Sequence, residues 1–429
     1  MTAPRPFRPR PAAPARARRA EAGFTVAEML VTLLLTALVL IAVLALFDMT
    51  GRTARTQTHV AEMQQSLRVA QQTLVRMVRM AGRGGLPTRD GARPLPGGVA
   101  VELLNNAPAG TLIAGDDSAP VLEGTDVVTV RGVFDSPIYQ VNPASGAFSY
   151  TAGDPTGSLT LLSRSPTGAP QPLEAVRDAI QAVGNATGGT HPEALLLVSP
   201  LGDWAVVELV PGGTFVDGGG EVTEATLQFQ VTGGDFSAQY AALSRGGAFP
   251  ATLETVAYAG LLEEYRFYVR EVREVAGDAD SLLVPELVRA RLYPNTDVAY
   301  QRQTASLTQV IADNVLDLQT ALGIDHDGDE MIEEVAADGA DAADEWLFNA
   351  AGDNPADGKW NAFGGSPLYY LRINTLVRTD RAEPYYEGEE LATIEDKDYS
   401  ASPFARLNEE WARRFHRRQM RTVVDLRNL

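Results

Sequence analysis

Residues 24–47 read FTVAEMLVTLLLTALVLIAVLALF: one carboxylate, Glu28, and then nineteen residues, Met29 to Phe47, without a charge. At about 1.5 Å per residue this apolar run extends roughly 28 Å, close to the hydrocarbon thickness of a bilayer. No comparable run recurs, so the sequence predicts a single membrane crossing. Upstream, residues 1–23 hold six Arg, one acid (Glu21) and many Pro and Ala, a composition that buries no core. Arginines on that flank keep it cytoplasmic and send the C-terminal bulk across. A secretory signal peptide would carry a shorter apolar stretch and a small-residue cleavage site, whereas Asp48-Met-Thr-Gly-Arg52 follows here. A plain signal anchor accounts for the length but not for Glu28, because an ionised group beside an apolar run is costly without a partner.

Beyond the run, no Pro occurs from residue 15 to residue 86, so one helix is predicted from Phe24 to about Ala81. Its second half carries an apolar stripe at Val60, Met63, Leu67, Ala70, Leu74, Met77 and Ala81, spaced 3-4-3-4-3-4 on one helical face. Gln64, Gln65, Arg68, Gln72, Arg76 and Arg79 occupy the opposite face. A coiled-coil seam is one reading of the stripe, and packing against a sheet is the preferred one. Gly82, Gly84, Gly85 and Pro87 supply the stop.

The rest of the 429-residue chain bounds the function by exclusion. It has no Cys, which removes thiolate catalysis, disulfides and Cys-based metal sites. Its four His (His59, His191, His326, His416) are scattered, so no zincin motif exists. The formal charge of −19 disfavours nucleic acid as a partner. No Walker A, GxSxG or strand-borne GxGxxG motif occurs, and no enzyme activity is expected. From residue 86, short apolar stretches alternate with Gly, Pro, Asp and Ser clusters. Strands are predicted at 126–134, 158–163, 195–198, 204–210, 225–231, 265–272, 286–292, 368–377 and 420–427. A helix is predicted at 172–183, and 308–318 is ambiguous. The fold class is α+β: a long N-terminal helix on a mainly antiparallel sheet, with an inserted sub-domain placed loosely between 135 and 255.

The junction Gly23-Phe24-Thr25-Val26-Ala27-Glu28 resembles the class III signal of type IV pilins and of type II secretion pseudopilins. The resemblance implies that a prepilin peptidase cuts between Gly23 and Phe24 and methylates Phe24. It also implies that Glu28, the fifth mature residue, pairs with the charged N-terminus of a neighbouring subunit. Removing the leader (six Arg against one Glu) would take the charge from −19 to −24. Four further patches resemble PilW-type minor pilins. They are Ala70–Arg76 leading to Arg79-Met-Ala-Gly82, Glu264–Val269 followed by Pro285–Arg289, Val315–Gln319 followed by Gly323–Asp329, and the ending Arg421–Leu429. Pseudopilin J shares much of this layout.

The implied organisation is a leader (1–23), a membrane or filament-core helix (24–47), an amphipathic extension (48–85) and an exported head (86–429). The implied location is the inner membrane, crossed once with a periplasmic head, and then the pilus surface. Partners would be prepilin peptidase, the major and other minor pilins, and an inner-membrane assembly platform. The alternatives are a secretion pseudopilin and a signal-anchored enzyme or binding module.

Two charged patches complete the reading. Asp325, Asp327 and Asp329 alternate around Gly328, with Glu333 beyond, an arrangement that offers hard oxygen ligands to Ca²⁺. The spacing departs from an EF-hand, and a solvated acidic turn is the alternative. Arg413, Arg414, Arg417, Arg418 and Arg421 form a basic cluster near the C-terminus, read as pairing with the head's own acids.

Overall fold

The computed structural model describes residues 25–90, 97–113, 119–184, 191–218, 221–250, 253–275, 277–278, 280–301, 308–325, 328–334, 344–353 and 368–426. The chain divides into two compact units, 1–58 and 59–429. Helix α1 (Val26–Met80, 55 residues) runs through the first and opens the second. It ends one residue short of the expected Ala81. Gly82, Gly84 and Gly85 all adopt positive φ (78°, 104° and 93°), a backbone that β-carbon residues rarely take. At Gly84 a Cβ would also lie 2.7 Å from Val133 Cγ2.

In the first unit α1 presents its large apolar residues outward. Val26 is 77% exposed, Leu33 71% and Phe47 69%. The threonines within the run satisfy their hydroxyls locally: Thr32 Oγ1 donates to Glu28 O (2.6 Å) and Thr36 Oγ1 to Thr32 O (2.7 Å). Each bonds the carbonyl one turn back, which suits an apolar surrounding.

In the second unit the predicted stripe is buried: Met63, Leu67, Ala70, Leu74, Met77 and Ala81 all enter the main apolar core. Gln71 and Val78, which the stripe omitted, are buried with them. Gln71 Nε2 donates to Thr375 Oγ1 (3.0 Å) and to Met420 O (2.9 Å), so this face of the helix packs on the C-terminal sheet.

The head is built almost wholly from antiparallel strands. Before the long central strand come β1 (Val101–Leu104), β2 (Val127–Gly132), β3 (Tyr139–Gln140), β4 (Phe148–Ser149) and β5 (Thr156–Leu162). Helix α2 (Glu174–Gly184) precedes β6 (Ala194–Val198), β7 (Trp204–Asp217) and β8 (Val222–Gln230). A short α3 (Ser237–Ala241) leads to β9 (Tyr258–Arg273), which organises the large sheet. After it come β10 (Leu283–Leu292), β11 (Thr308–Asp313), β12 (Val315–Ile324), β13 (Trp346–Leu347), β14 (Leu368–Arg378), β15 (Thr393–Ile394), β16 (Lys397–Asp398) and β17 (Arg417–Asp425).

The large sheet runs β1-β2-β9-β6-β7-β8-β5-β4, with β10 and β3 also on β9 and β11 on β10. The second sheet is β13-β12-β14-β17. The strands that carry Glu264–Val269 and Pro285–Arg289, β9 and β10, pair antiparallel, with Glu286 opposite Arg270 and Ala290 opposite Arg266. The first half of β9 pairs instead with β6 and β3. A second apolar cluster gathers α2, β5, β8 and one face of β6 and β7 (Leu195, Leu197, Ala205, Val207), whereas Ala194, Leu196, Val198 and Val206 on the other face join the core that holds α1.

The ambiguous 308–318 stretch is two strands. Asn314, at φ 59°, breaks the chain between β11, which stays in the large sheet, and β12, which starts the second. Toward the end of β17 and just past it, Val424 and Leu426 are buried, while Met420 on the same side is exposed.

Candidate assembly helix and acidic turn

Gly23 and Phe24 lie outside the described residues. Glu28 is described, and it closes a reciprocal cap at the start of α1. The Thr25 N–H donates to Glu28 Oε2 (2.9 Å), Thr25 Oγ1 donates to the same oxygen (3.0 Å), and the Glu28 N–H donates to Thr25 Oγ1 (3.3 Å). Threonine at the cap with glutamate three residues on is a capping box, which satisfies amides that the first turn leaves without intrahelical acceptors. Within a single chain, the carboxylate is therefore engaged by its own helix. Among the described residues, α1 is the one helix long and apolar enough to cross a membrane.

The acidic turn is partly visible. Asp325 is buried, and its two carboxylate oxygens accept the backbone N–H groups of Gly328 (2.7 Å) and Glu330 (3.1 Å). Asp329 Oδ1 accepts from the Met331 N–H (2.8 Å). The Glu333 N–H donates to Glu345 Oε2 (3.2 Å), and the Glu345 N–H returns to Glu333 O (3.0 Å). Asp327 lies outside the described residues. Asp325 thus folds the turn, with Gly328 supplying the positive φ of 84° that the turn requires.

The basic cluster is distributed over local acids and carbonyls. Arg413 meets Glu387 (2.8 Å) and Glu390 (3.1 Å), Arg414 meets Glu410 (2.5 Å) and Arg421 meets Glu334 (3.5 Å). Arg417 donates to Leu407 O (2.7 Å).

Pattern reading missed a buried ionic network along β9. Arg131, fully buried, spans Glu264 and Glu102 at 2.6 Å each, and Arg266 grips the other Glu264 oxygen at 2.9 Å. Next to it, Glu263 lies 3.3 Å from Arg291, whose guanidinium stacks over Tyr300 at 3.9 Å. Burial pushes the Glu263 carboxyl up to about 7, against the pull of Arg291. A second buried group is Asp317, raised to about 6 by burial although Tyr399 donates to it. Consecutive acids on a strand would ordinarily put one on each face. The tertiary structure buries both Glu263 and Glu264, with Arg291 beside the first and Arg131 and Arg266 on the second.

The family model for the type IV pilus-assembly protein W matches residues 266–428, and no curated protein or solved structure gives a match. The matched span begins within β9 and takes in every strand from β10 to β17. Over these C-terminal strands the chain is similar to a type IV pilus-assembly family.

Proposed function

We propose that the chain is a minor pilin that primes or extends a type IV pilus. It is made with the basic leader, cut between Gly23 and Phe24 by prepilin peptidase and methylated at Phe24. It then joins the filament through residues 24–47, with the head outside the inner membrane and finally at the pilus surface. Its partners are the major and other minor pilins and the assembly platform. One contrast within one helix carries this reading. Residues 26–49 of α1 expose large apolar side chains, whereas Met63, Leu67, Leu74, Met77 and Val78 farther along the same helix are buried in the head. An apolar rod attached to a folded head can be held first by lipid and later by other apolar rods. The match to a pilus-assembly family weighs toward a pilus and away from a secretion pseudopilus.

Glu28 has two possible duties, and two substitutions separate them. Glu28→Gln keeps an acceptor for the capping box but removes the charge, since Gln also serves at that position. Thr25→Ala removes the cap and keeps the charge. If Glu28 pairs with a neighbour's N-terminus, Glu28→Gln abolishes recovery in sheared surface fibres and Thr25→Ala does not. The reverse ranking would assign Glu28 to capping alone. Mass spectrometry of the fibre protein tests processing: a methylated Phe24 start is expected, and an intact leader would refute the proposal.

A further inference from the structure

We propose that His59, Glu62 and Asp380 form a binding site for a zinc-like dication that pins α1 to the turn after β14. The site is independent of the pilin reading.

His59 and Glu62 are three residues apart on α1 and therefore share a face. Asp380 comes from the turn two residues past Arg378, the last residue of β14. That turn is held in place: the buried Thr379 donates its N–H to His416 O (2.9 Å) and its hydroxyl to Arg381 O (3.0 Å). His59 Nδ1 lies 2.8 Å from Asp380 Oδ1 and 3.8 Å from Glu62 Oε2, and the three ligand atoms lie within 4.8 Å of one another. Among the described residues this is the one group of three or more such side chains that converges so closely. Zinc binds imidazole nitrogen and carboxylate oxygen at about 2.0–2.2 Å, so two ligands of one tetrahedral ion stand about 3.4 Å apart. The two distances to His59 Nδ1 bracket that value.

The alignment of the closest pair is the second observation. In a histidine–carboxylate hydrogen bond the oxygen lies near the ring N–H axis. Here the Nδ1 atom is buried and makes no hydrogen bond, although a carboxylate oxygen is 2.8 Å away. That off-axis approach is the geometry of two ligands flanking one ion, with the ion on the nitrogen lone pair and the oxygen beside it. Arg381 approaches the other Asp380 oxygen, Oδ2, at 3.8 Å, which leaves Oδ1 for the ion. One nitrogen and two oxygens suit zinc, cobalt or manganese better than calcium or magnesium, which prefer all-oxygen sets. With three protein ligands, water completes the shell. The ion would fasten the helix to the head where α1 enters the second unit.

The test uses the full-length, untagged chain in detergent, stripped with chelator and titrated with zinc sulfate by calorimetry. One zinc per chain is expected, and cobalt should give visible ligand-field bands. Both signals should be lost in His59→Gln, in Asp380→Asn and in Glu62→Gln, whose exposed side chain makes misfolding a poor explanation. His191→Gln, His326→Gln and His416→Gln should bind as the unaltered chain does. An absence of stoichiometric zinc, or an isotherm unchanged by the three site substitutions, overturns the proposal. So would equal destabilisation by Asp380→Asn with zinc and with chelator, which would mark a simple ion pair.

Discussion

Leu74→Ala tests how α1 is anchored, because the same helix provides its own control. Leu74 is fully buried, between Ala70 and Met77 on the core face. Truncating a buried leucine loses its transfer free energy and leaves a cavity, together about 2–5 kcal/mol. The gain in helix propensity from alanine returns only a few tenths of that. Leu34, 60% exposed on the same helix, should cost no more than about 0.5 kcal/mol in detergent. Urea unfolding of the full-length chain would read both, with Trp204 and Trp346, both buried in the head, as fluorescence reporters. Leu74→Ala should move the midpoint well below that of the unaltered chain without changing the slope, and Leu34→Ala should leave it in place. In fibres the order should reverse: Leu74→Ala heads still enter, while bulk changes at Leu34 disturb packing between subunits. If Leu74→Ala and Leu34→Ala unfold alike, the helix stripe does not hold the head and the reasoning fails.

Three other outcomes follow from the geometry. Glu263 keeps its proton in the folded head up to about pH 7, whereas an unfolded glutamate releases it near 4.3. The folded chain thus binds more protons in between, and stability should fall as pH rises from about 4.5 to 7. Glu263→Gln should flatten that slope in thermal melts, and an unchanged slope would place the titration elsewhere. Gly84→Ala meets both a φ of +104° and Val133 at 2.7 Å, and should cost about 1–3 kcal/mol in the same urea assay; a neutral result would show that the helix stop tolerates a β-carbon. Asp325→Ala removes two turn hydrogen bonds and should destabilise by about 1–3 kcal/mol, equally with calcium and with chelator. A loss seen only with calcium would instead make Asp325 a cation ligand.

The sequence by itself determined the elements whose signal is local. A chargeless run of nineteen residues, a proline-free stretch and a 3-4 apolar spacing dictate a long helix, because each rests on backbone geometry and solvent alone. Alternating apolar stretches marked most long strands to within a few residues. Thr25 and Glu28 also stand at capping-box spacing in the sequence.

Only the tertiary structure decided what depends on distant partners. Gln71, placed on neither face by the sequence, is satisfied in the core by Thr375 and Met420. Glu263 and Glu264, adjacent on β9, are both buried with arginines that come from other strands, Arg291 and Arg131. Asn314 turned one ambiguous segment into strands of two different sheets. His59 and Asp380, more than 300 residues apart, came within 2.8 Å. Burial of a polar group is affordable only where a partner arrives, and partners from remote strands leave no local trace in the chain.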